Sequence, residues 1–208
     1  MKVSEPNIKN CVDGDFSKAF VDNEFNNQIY KVSSLQGVTI SDVTFDSCIF
    51  QGINFTDIKL DGVDVIDVVF ENCDLSNQKF FRRYLNRVKF VNCRMTGVSF
   101  IEAALKDVQI INCKAEYINL AQANIKTMTI TKSNFEHMMF CETKIKNLQV
   151  DQVDFCHAEI VGTVLRDVDF STCIFEGIRI DTKSLQGIII NKFQAYNLVK
   201  LLGVIVKE

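Results

Sequence analysis

Large apolar residues recur at every fifth position along most of this chain, and the register does not slip between Phe20 and Ile190. One stretch shows the pattern, with core positions at Phe45, Phe50, Phe55, Leu60, Val65 and Phe70. A five-residue period matches neither the 3.6-residue helical turn nor the two-residue alternation of a strand. The pattern therefore predicts a coil with corners, in which each pentapeptide forms one short side and points its central residue inward.

Two further slots of the repeat support a cornered coil. Glycine tolerates the backbone angles that a tight turn needs, and most glycines lie two residues after a core position, namely Gly37, Gly52, Gly62, Gly97, Gly162, Gly177 and Gly187. The slot two residues before the core position holds small or β-branched residues such as Val43, Cys48, Ile53 and Val98. Two inward side chains per pentapeptide, one large and one small, predict a narrow and filled core.

The segments that flank the repeat have a different composition. Residues 1–19 fall outside the pattern apart from Phe16, and we expect them to cover the first coil, because an open end would expose core and strand edges. After Ile190, Asn191 and Gln194 have the spacing of a helix N-cap and its capping-box partner, and Gly203 is a stop signal. The chain thus divides into a cap (1–19), a repeat region (20–190) and a C-terminal helix and tail (191–208).

The C-terminal segment is more apolar than an isolated exposed helix should be. Residues 193–202 are expected to form the helix, and residues 204–206 add an apolar tail. Together they predict a self-complementary surface, for which a two-fold homodimer is the simplest arrangement. The residues expected in this interface are Phe193, Tyr196, Leu198, Val199, Leu201, Leu202, Val204, Ile205 and Val206.

One unit of the repeat, at residues 78–87, departs from the pattern. Gln78 and Arg83 occupy small inward slots, where a polar side chain is costly to bury without partners. We expect a local bulge or a widened corner there, with Arg82, Arg83 and Arg87 near the surface. Two interpretations stay open, a tolerated irregularity or a protrusion that contacts a partner.

Composition limits the class of protein. The chain has 208 residues, of which 47% are hydrophobic, enough for one repeat array with a substantial core. No stretch approaches the roughly 18 apolar residues of a membrane span, and the first residues carry no apolar run, so we expect a soluble cytoplasmic protein that does not enter a membrane. The cysteines at 48, 73, 93, 113 and 173 occupy small inward slots, which favours reduced, buried thiols over disulfides.

Catalytic signatures are missing from the sequence. It contains no nucleophile elbow, phosphate loop, dinucleotide fingerprint or metal-spacing motif. We therefore expect no enzymatic activity, no cofactor and no small-molecule substrate. The net charge is only -3, but residues 1–77 hold 13 acidic and 5 basic residues, residues 78–150 hold 5 and 12, and residues 151–208 hold 8 and 6. In a coil this pattern predicts charge zones along the axis.

Individual units resemble a known repeat. The units CIFQG, INFTD, CDLSN and CRMTG are similar to the pentapeptide-repeat pattern of a small residue, Asp or Asn, Leu or Phe, a polar residue and any residue. This resemblance covers about four fifths of the chain. It implies an all-β fold, a right-handed quadrilateral β-helix of four pentapeptides per coil, here with a short C-terminal α-helix. At about 4.8 Å per coil, roughly 8.5 coils would form a rod of roughly 40 Å.

With four pentapeptides per coil, residues 20 apart stack in rows, and one row is basic. It consists of Lys106, Lys126, Lys146 and Arg166. At about 5 Å spacing in water each neighbouring pair costs at most roughly 0.8 kcal/mol, so the fold tolerates the row although nothing in the repeat requires it. The row either is solvated in a permissive slot or recognises an anionic surface.

Two other rows carry groups that could bind a metal. His137 and His157 would stack beneath Tyr117 and beside Cys156, but a flat face offers two ligands where zinc takes three or four. We expect an exposed histidine ladder there. Cys73, Cys93, Cys113 and Cys173 share an inward row, for which packing is favoured over redox or metal chemistry. The sequence therefore predicts no metal site.

Two longer segments are distinctive, LKDVQIINCKAEYINLAQANI (residues 105–125) and LQGIIINKFQAYNLVKLLGVIVKE (residues 185–208). They resemble a functionally defined class, the Qnr-type topoisomerase-protection proteins. Residues 105–125 are similar to the central coils of Gram-positive Qnr proteins, and residues 185–208 to the dimerising C-terminal module of that class. The resemblance implies a homodimeric DNA mimic that binds DNA gyrase or topoisomerase IV and protects it from quinolones. The alternative is a scaffold whose basic middle binds an acidic protein or nucleic acid. The candidate partner-binding residues are Lys106, Lys126, Lys146, Arg166, Arg82, Arg83 and Arg87.

Overall fold

The chain winds into a four-sided coil of about eight turns, built from short parallel strands stacked along one axis. The computed structural model describes residues 2–31, 35–201 and 203–205. Inside the coil every strand pair joins residues 20 apart, for example Val65 with Leu85 and Leu85 with Leu105. The β-helix and its four pentapeptides per turn are therefore confirmed.

The strands are short because each side of the coil is only about one pentapeptide long. They are β1 (Val12–Asp13), β2 (Phe25–Asn26), β3 (Gln28–Tyr30), β4 (Val38–Ser41), β5 (Thr44–Asp46), β6 (Ile49–Gln51), β7 (Ile58–Asp61), β8 (Asp64–Glu71), β9 (Tyr84–Val91), β10 (Ala104–Ile111), β11 (Asn124–Ile125), β12 (Met128–Thr131), β13 (Lys144–Ile145), β14 (Leu148–Asp151), β15 (Glu159–Ile160) and β16 (Arg179–Ile180). Isolated parallel bridges such as Asp74 with Arg94 continue the remaining sides. The helices are α1 (Phe16–Asp22), α2 (Thr182–Leu185) and α3 (Lys192–Leu201).

The large residues at every fifth position form one continuous hydrophobic core along the axis of the coil. Phe50, Phe70 and Phe90 are fully buried, and their rings stack at 5.1 Å between centroids at each step. This spacing follows the distance between stacked strands, so one large residue per pentapeptide fills each layer. The cysteines in the small slots are buried as well.

The slot two residues after each core position forms the corners. Its backbone is left-handed both where it holds glycine, as at Gly97 (φ 69°), and where it holds other residues, as at Asn92 (φ 54°) and Tyr117 (φ 59°). A non-glycine residue in this conformation costs roughly 1–2 kcal/mol, which explains the enrichment of glycine and asparagine. Regular corners keep the coil in register.

The N-terminal segment takes two different courses. Strand β1 pairs with β3, and helix α1 closes the end of the coil, where the Phe16 ring lies 5.7 Å from Phe25 and 5.4 Å from Tyr30. Helix α1 extends past the expected boundary at residue 19 and includes Phe20, so the coil begins at Phe25. Residues 2–11 do not cover the end of the coil but run down its side.

At the other end, helix α3 begins with the predicted capping box. The Oδ1 of Asn191 accepts the N–H groups of Phe193 (2.9 Å) and Gln194 (3.0 Å), while Gln194 Oε1 accepts the N–H of Asn191 (2.7 Å). Gly203 follows with a left-handed φ of 74°. Within the residues that the structure describes, no helix has the length and apolar character needed to cross a membrane.

Candidate binding surface

The basic row is the surface that the sequence singled out, and three of its members lie in register. Lys106 pairs with Asn86 in the ladder, and the backbone N–H groups of Lys126 and Lys146 donate to the carbonyls of the preceding coil at 2.8 and 2.9 Å. None of the four row residues takes part in an ion pair within the described part of the chain. Their charges are therefore available to a partner.

Arg166 is separated from the other three by a seam in the coil. No ladder hydrogen bond joins residues 144–151 to residues 164–171, although the structure describes both segments. Two cavities of about 390 and 440 Å³ open along this seam. The regular row that the period predicts thus ends at Lys146, and Arg166 lies on the far side of the opening.

The arginines of the irregular unit do not form a cluster of free cations. Arg82 Nε contacts Glu102 at 2.8 Å, and Arg83 donates to the carbonyls of Phe81 (3.3 Å) and Gly62 (3.4 Å). Arg87 makes a bidentate pair with Asp67, at 2.6 Å for both bonds. Since Asp67 already neutralises Arg87, this arginine is a structural residue rather than a free contact for a partner.

The electrostatics of Asp67 follow from these contacts. Burial by itself raises the pKa of the Asp67 carboxyl, but the Arg87 guanidinium and the backbone N–H of Asn7 outweigh it, so the pKa is lowered. The group is therefore ionised at neutral pH. The Asp67 carboxylate connects its own coil to the next coil through Arg87 and to the N-terminal segment through the N–H of Asn7.

Gln78 explains how the irregular unit is accommodated. Its side chain is buried, and its amide lies between two coils, where it stands in for a backbone peptide. Nε2 donates to the carbonyls of Phe55 and Ile58, both at 2.8 Å, and Oε1 accepts the N–H of Leu60 at 3.1 Å. All the groups that burial would leave unpaired are thus satisfied.

The amide holds one side of the coil open. Residues 78–81 do not pair with β7, while the neighbouring sides keep their pairs at Asn54 with Asp74 and at Val65 with Leu85. A polar-lined cleft of about 900 Å³ lies at this position. No residue is added to the register, so the irregularity is not the expected bulge. It opens the side of the coil between the corners at Asn77 and Arg82, and not the corner that we expected.

The aromatic row is an exposed ladder, as expected. The ring centroids of Tyr117 and His137 are 4.7 Å apart at 3° between planes, and those of His137 and His157 are 5.0 Å apart at 16°. Imidazoles stacked in parallel direct their in-plane lone pairs side by side, so they do not converge on one ion. Within the described residues no group of three or more metal-binding side chains is present.

The small inward slot has a role that sequence reasoning missed. Cys73 and Cys93 donate their S–H groups to the carbonyls of Phe50 (3.3 Å) and Phe70 (3.4 Å), and Thr163 donates in the same way to Phe140 (2.7 Å). Each acceptor lies 23 residues before its donor. The recurrence of Cys and Thr, which both carry a hydrogen-bond donor, two residues before the core position is the sequence feature that could have indicated these hydrogen bonds.

Cys48, a buried cysteine outside the cysteine row, is poorly suited to chemistry. Burial raises the pKa of the Cys48 thiol to about 12, so the thiol is protonated at neutral pH. The thiolate is the reactive form, and a buried thiol in apolar surroundings is inert. Within the cysteine row, burial raises the pKa of Cys173, whereas hydrogen bonds with the Cys93 thiol lower the pKa of Cys73 and Cys113. The packing interpretation of the row therefore rests on the burial of all four cysteines.

The predicted dimer surface is only partly exposed. Phe193 is 74% exposed, Tyr196, Val204 and Ile205 are also exposed, and Val199 is half-buried. Leu198 was wrongly placed in this surface, because it is buried in the core of the coil. Leu202, Val206 and the side chain of Leu201 lie outside the described residues. The exposed apolar groups remain a candidate contact surface.

Comparisons with known proteins identify the repeat. Residues 63–140 match the family described as "Pentapeptide repeat region", and residues 12–100 match the "SV2A/B/C luminal domain". Comparison with curated protein sequences gave no match.

Solved structures with a similar coil were also found. Trypsin-treated QnrB1, a plasmid-mediated fluoroquinolone resistance protein, is 18% identical over 88% of this chain and 97% of its own, with a TM-score of 0.43. HetL of the cyanobacterium Nostoc sp. strain PCC 7120, a pentapeptide repeat protein involved in heterocyst differentiation regulation, is 13% identical over 88% of this chain and 98% of its own, with a TM-score of 0.24. Residues 63–140 are thus similar to a pentapeptide repeat region, and the four-sided coil keeps the same 20-residue register on both sides of that segment.

Proposed function

We propose that this chain is a non-enzymatic cytoplasmic protein that binds DNA gyrase or topoisomerase IV and protects the enzyme from quinolones. The observation that carries the proposal is the rod itself, whose 20-residue register runs without an inserted loop through the segment 105–125 that resembles the Qnr class. A rigid rod of this kind can occupy a groove that otherwise holds duplex DNA. Binding alone is then sufficient for protection.

The charge of the first coils supports a DNA mimic. Residues 1–77 carry 13 acidic and 5 basic residues, and Asp42, Asp46 and Asp57 are exposed. A surface that binds DNA is basic, so it attracts an acidic rod end by the same electrostatic complementarity that it uses for phosphates. In this proposal the acidic end, rather than the basic middle, enters the DNA groove.

A supercoiling assay tests the proposal directly. Purified protein is added to DNA gyrase, relaxed plasmid and a fluoroquinolone at a concentration that blocks supercoiling. We expect the protein to restore supercoiling in the presence of the drug. If it neither protects nor inhibits the enzyme at any concentration, the topoisomerase proposal is wrong.

The homodimer is part of the same proposal. Deleting residues from 193 onward is a poor test, because it also removes Leu198 from the core and the Gln194 amide, which donates to two carbonyls of the last coil. The double variant Phe193→Glu/Ile205→Glu keeps both and charges only the exposed surface. We expect light scattering to report a monomer for this variant and a dimer for Lys183→Glu, an exposed control on α2. A dimer in both variants would contradict this interface.

A second candidate function rests on the unpaired charges of Lys106, Lys126 and Lys146. A partner with an anionic surface, either an acidic protein or a nucleic acid, would fit this row. For a nucleic acid the affinity for a short duplex should fall with salt and should drop further in Lys126→Glu, since each neutralised phosphate contributes to the salt slope. Lys132→Glu, which changes an exposed corner residue outside the row, is the matched control. Equal binding by both variants would exclude the row as the site.

A further inference from the structure

The first residues of the chain form an arm along the outside of the coil. Cys11 Sγ donates to the Ser47 carbonyl at 2.9 Å, and the N–H of Asn7 donates to Asp67 Oδ1 at 2.8 Å. Glu5 Oε2 lies 3.4 Å from Lys89 Nζ. These partners lie at one corner of three successive coils. The arm (residues 2–11) therefore runs along this corner parallel to the axis of the coil, and successive contacts, at Cys11, Asn7 and Glu5, are four and two residues apart.

The corner that the arm follows is polar and unusually buried. Asn86 and Gln109 occupy outward positions of the repeat, beside the core residues Leu85 and Ile110, yet they are only 6% and 8% exposed. In the same two rows of later coils, Lys126 and Gln149 are exposed. Val3, the apolar residue of the arm beyond Glu5, is buried as well. We infer that the arm is the cover over this corner.

The fit between the arm and the corner is incomplete. The Oδ1 of Asn86 and the Nε2 of Gln109 are buried, and neither has a hydrogen-bond partner among the described residues. One is an acceptor and the other a donor, which are the two functions that the N–H and C=O groups of an extended peptide would satisfy. The corner therefore has one hydrogen-bond acceptor and one donor that the arm does not engage.

The arm is also held by few contacts. Its polar anchors are one hydrogen bond to Asp67, one ion pair between the exposed Glu5 and the half-buried Lys89, and a thiol contact at Ser47. Its main buried apolar side chain is Val3. These contacts have to offset the backbone entropy of ordering about ten residues. A segment held by so few contacts belongs to the part of a structure that opens at the lowest free-energy cost, so a competing peptide can displace it.

We propose that this corner is a docking surface for an extended acidic segment of a partner protein, and that the arm occupies it in the same chain until the partner displaces it. Acidic character follows from Lys89, which contacts Glu5, and from the zone around it, since residues 78–150 hold 12 basic and 5 acidic residues. The basic row at Lys106 and Lys126 adjoins the corner. This site does not depend on the topoisomerase proposal.

The test uses a variant that lacks residues 2–10 and a fluorescent peptide of those residues, KVSEPNIKN, as the probe. The variant keeps β1 and α1, so the end of the coil stays covered, and a thermal melt checks its fold. Fluorescence anisotropy should show at least tenfold tighter binding to the variant than to the full chain, whose own arm competes at high effective concentration. No binding to the variant, or equal binding to both proteins, overturns the proposal.

Charge variants of the peptide and of the protein test the chemistry. A peptide with Lys2→Glu and Lys9→Glu should bind the shortened protein several-fold tighter, and one with Glu5→Lys should bind several-fold weaker. Lys89→Glu in the protein should reverse the preference at position 5, whereas the control Lys132→Glu should leave it unchanged. Weaker binding of the more acidic peptide would overturn the assignment of an acidic partner.

Discussion

The Gln78 amide provides the sharpest test of how this coil tolerates a polar residue in its core. The variant Gln78→Leu has a side chain that is apolar and one atom shorter, and it removes the three hydrogen bonds of the amide, to the carbonyls of Phe55 and Ile58 and from the N–H of Leu60. A buried group left without a partner costs about 1–3 kcal/mol.

The expected loss can be estimated from these contacts. Water can enter the adjoining cleft of about 900 Å³, so each group should cost near the lower limit, about 3 kcal/mol for all three. The added apolar burial of leucine returns about 1 kcal/mol. We therefore expect the free energy of unfolding to fall by about 2 kcal/mol, and the Tm by about 4–8 °C for a chain of this size.

Two measurements check this estimate. Thermal or denaturant unfolding gives the stability change, with Gln149→Leu, an exposed glutamine on β14, as the matched control. Hydrogen exchange of the Leu60 amide reports the local effect, and this amide should lose its protection in Gln78→Leu alone. If the variant is as stable as the natural protein and the Leu60 amide stays protected, the two coils have closed into a regular ladder and the reasoning is refuted.

Three further predictions concern other contacts. Because the pKa of Asp67 is lowered in the folded state, its contribution to stability is present above the unfolded pKa of about 3.9 and is lost as the pH falls through the lower, folded pKa. Asp67→Asn should remove this pH-dependent contribution from a series of thermal melts at different pH values. The same pH dependence in both proteins would contradict the prediction. Gly177→Ala places a methyl group on a left-handed residue and against Nδ1 of His157, so we expect a loss of about 1–2 kcal/mol and a shifted His157 ring signal in NMR, whereas Gly52→Ala, with open space around it, should show the backbone cost alone. Gln194→Leu removes two hydrogen bonds to carbonyls of the last coil and the capping-box bond from the N–H of Asn191, and it should lower the Tm by a few degrees, while Asn197→Leu on the exposed side of α3 should not.

The irregular unit and the arm show where sequence reasoning reached its limit. The presence of Gln78 and Arg83 in inward slots predicted a local bulge or a widened corner, because a buried polar group must find partners, but it did not predict which part of the coil would open. That the amide would replace a backbone peptide between two coils could not be predicted, since the period alone specifies no distance between the strands. The ion pair of Arg87 with Asp67 could not be predicted either, because Asp67 lies one coil away and the pattern identifies its position only as a corner.

The candidate site was predicted in part. The row of Lys106, Lys126 and Lys146 follows from the 20-residue coil, because stacking depends on the count of residues alone. The seam before Arg166 does not follow from the count. It depends on whether the two coils approach closely enough to form hydrogen bonds, which the packing of their side chains decides.

The sequence by itself determined which residues point inward, where the chain turns and how far apart the stacked residues lie. These properties come from short-range sterics and from burial of one large residue per pentapeptide, both of which a local pattern records. The tertiary structure decided the course of residues 2–11, the opening at Gln78 and the seam at residues 144–171. Each of these depends on contacts between residues far apart in the chain, such as Asn7 with Asp67, and a local pattern carries no information about them.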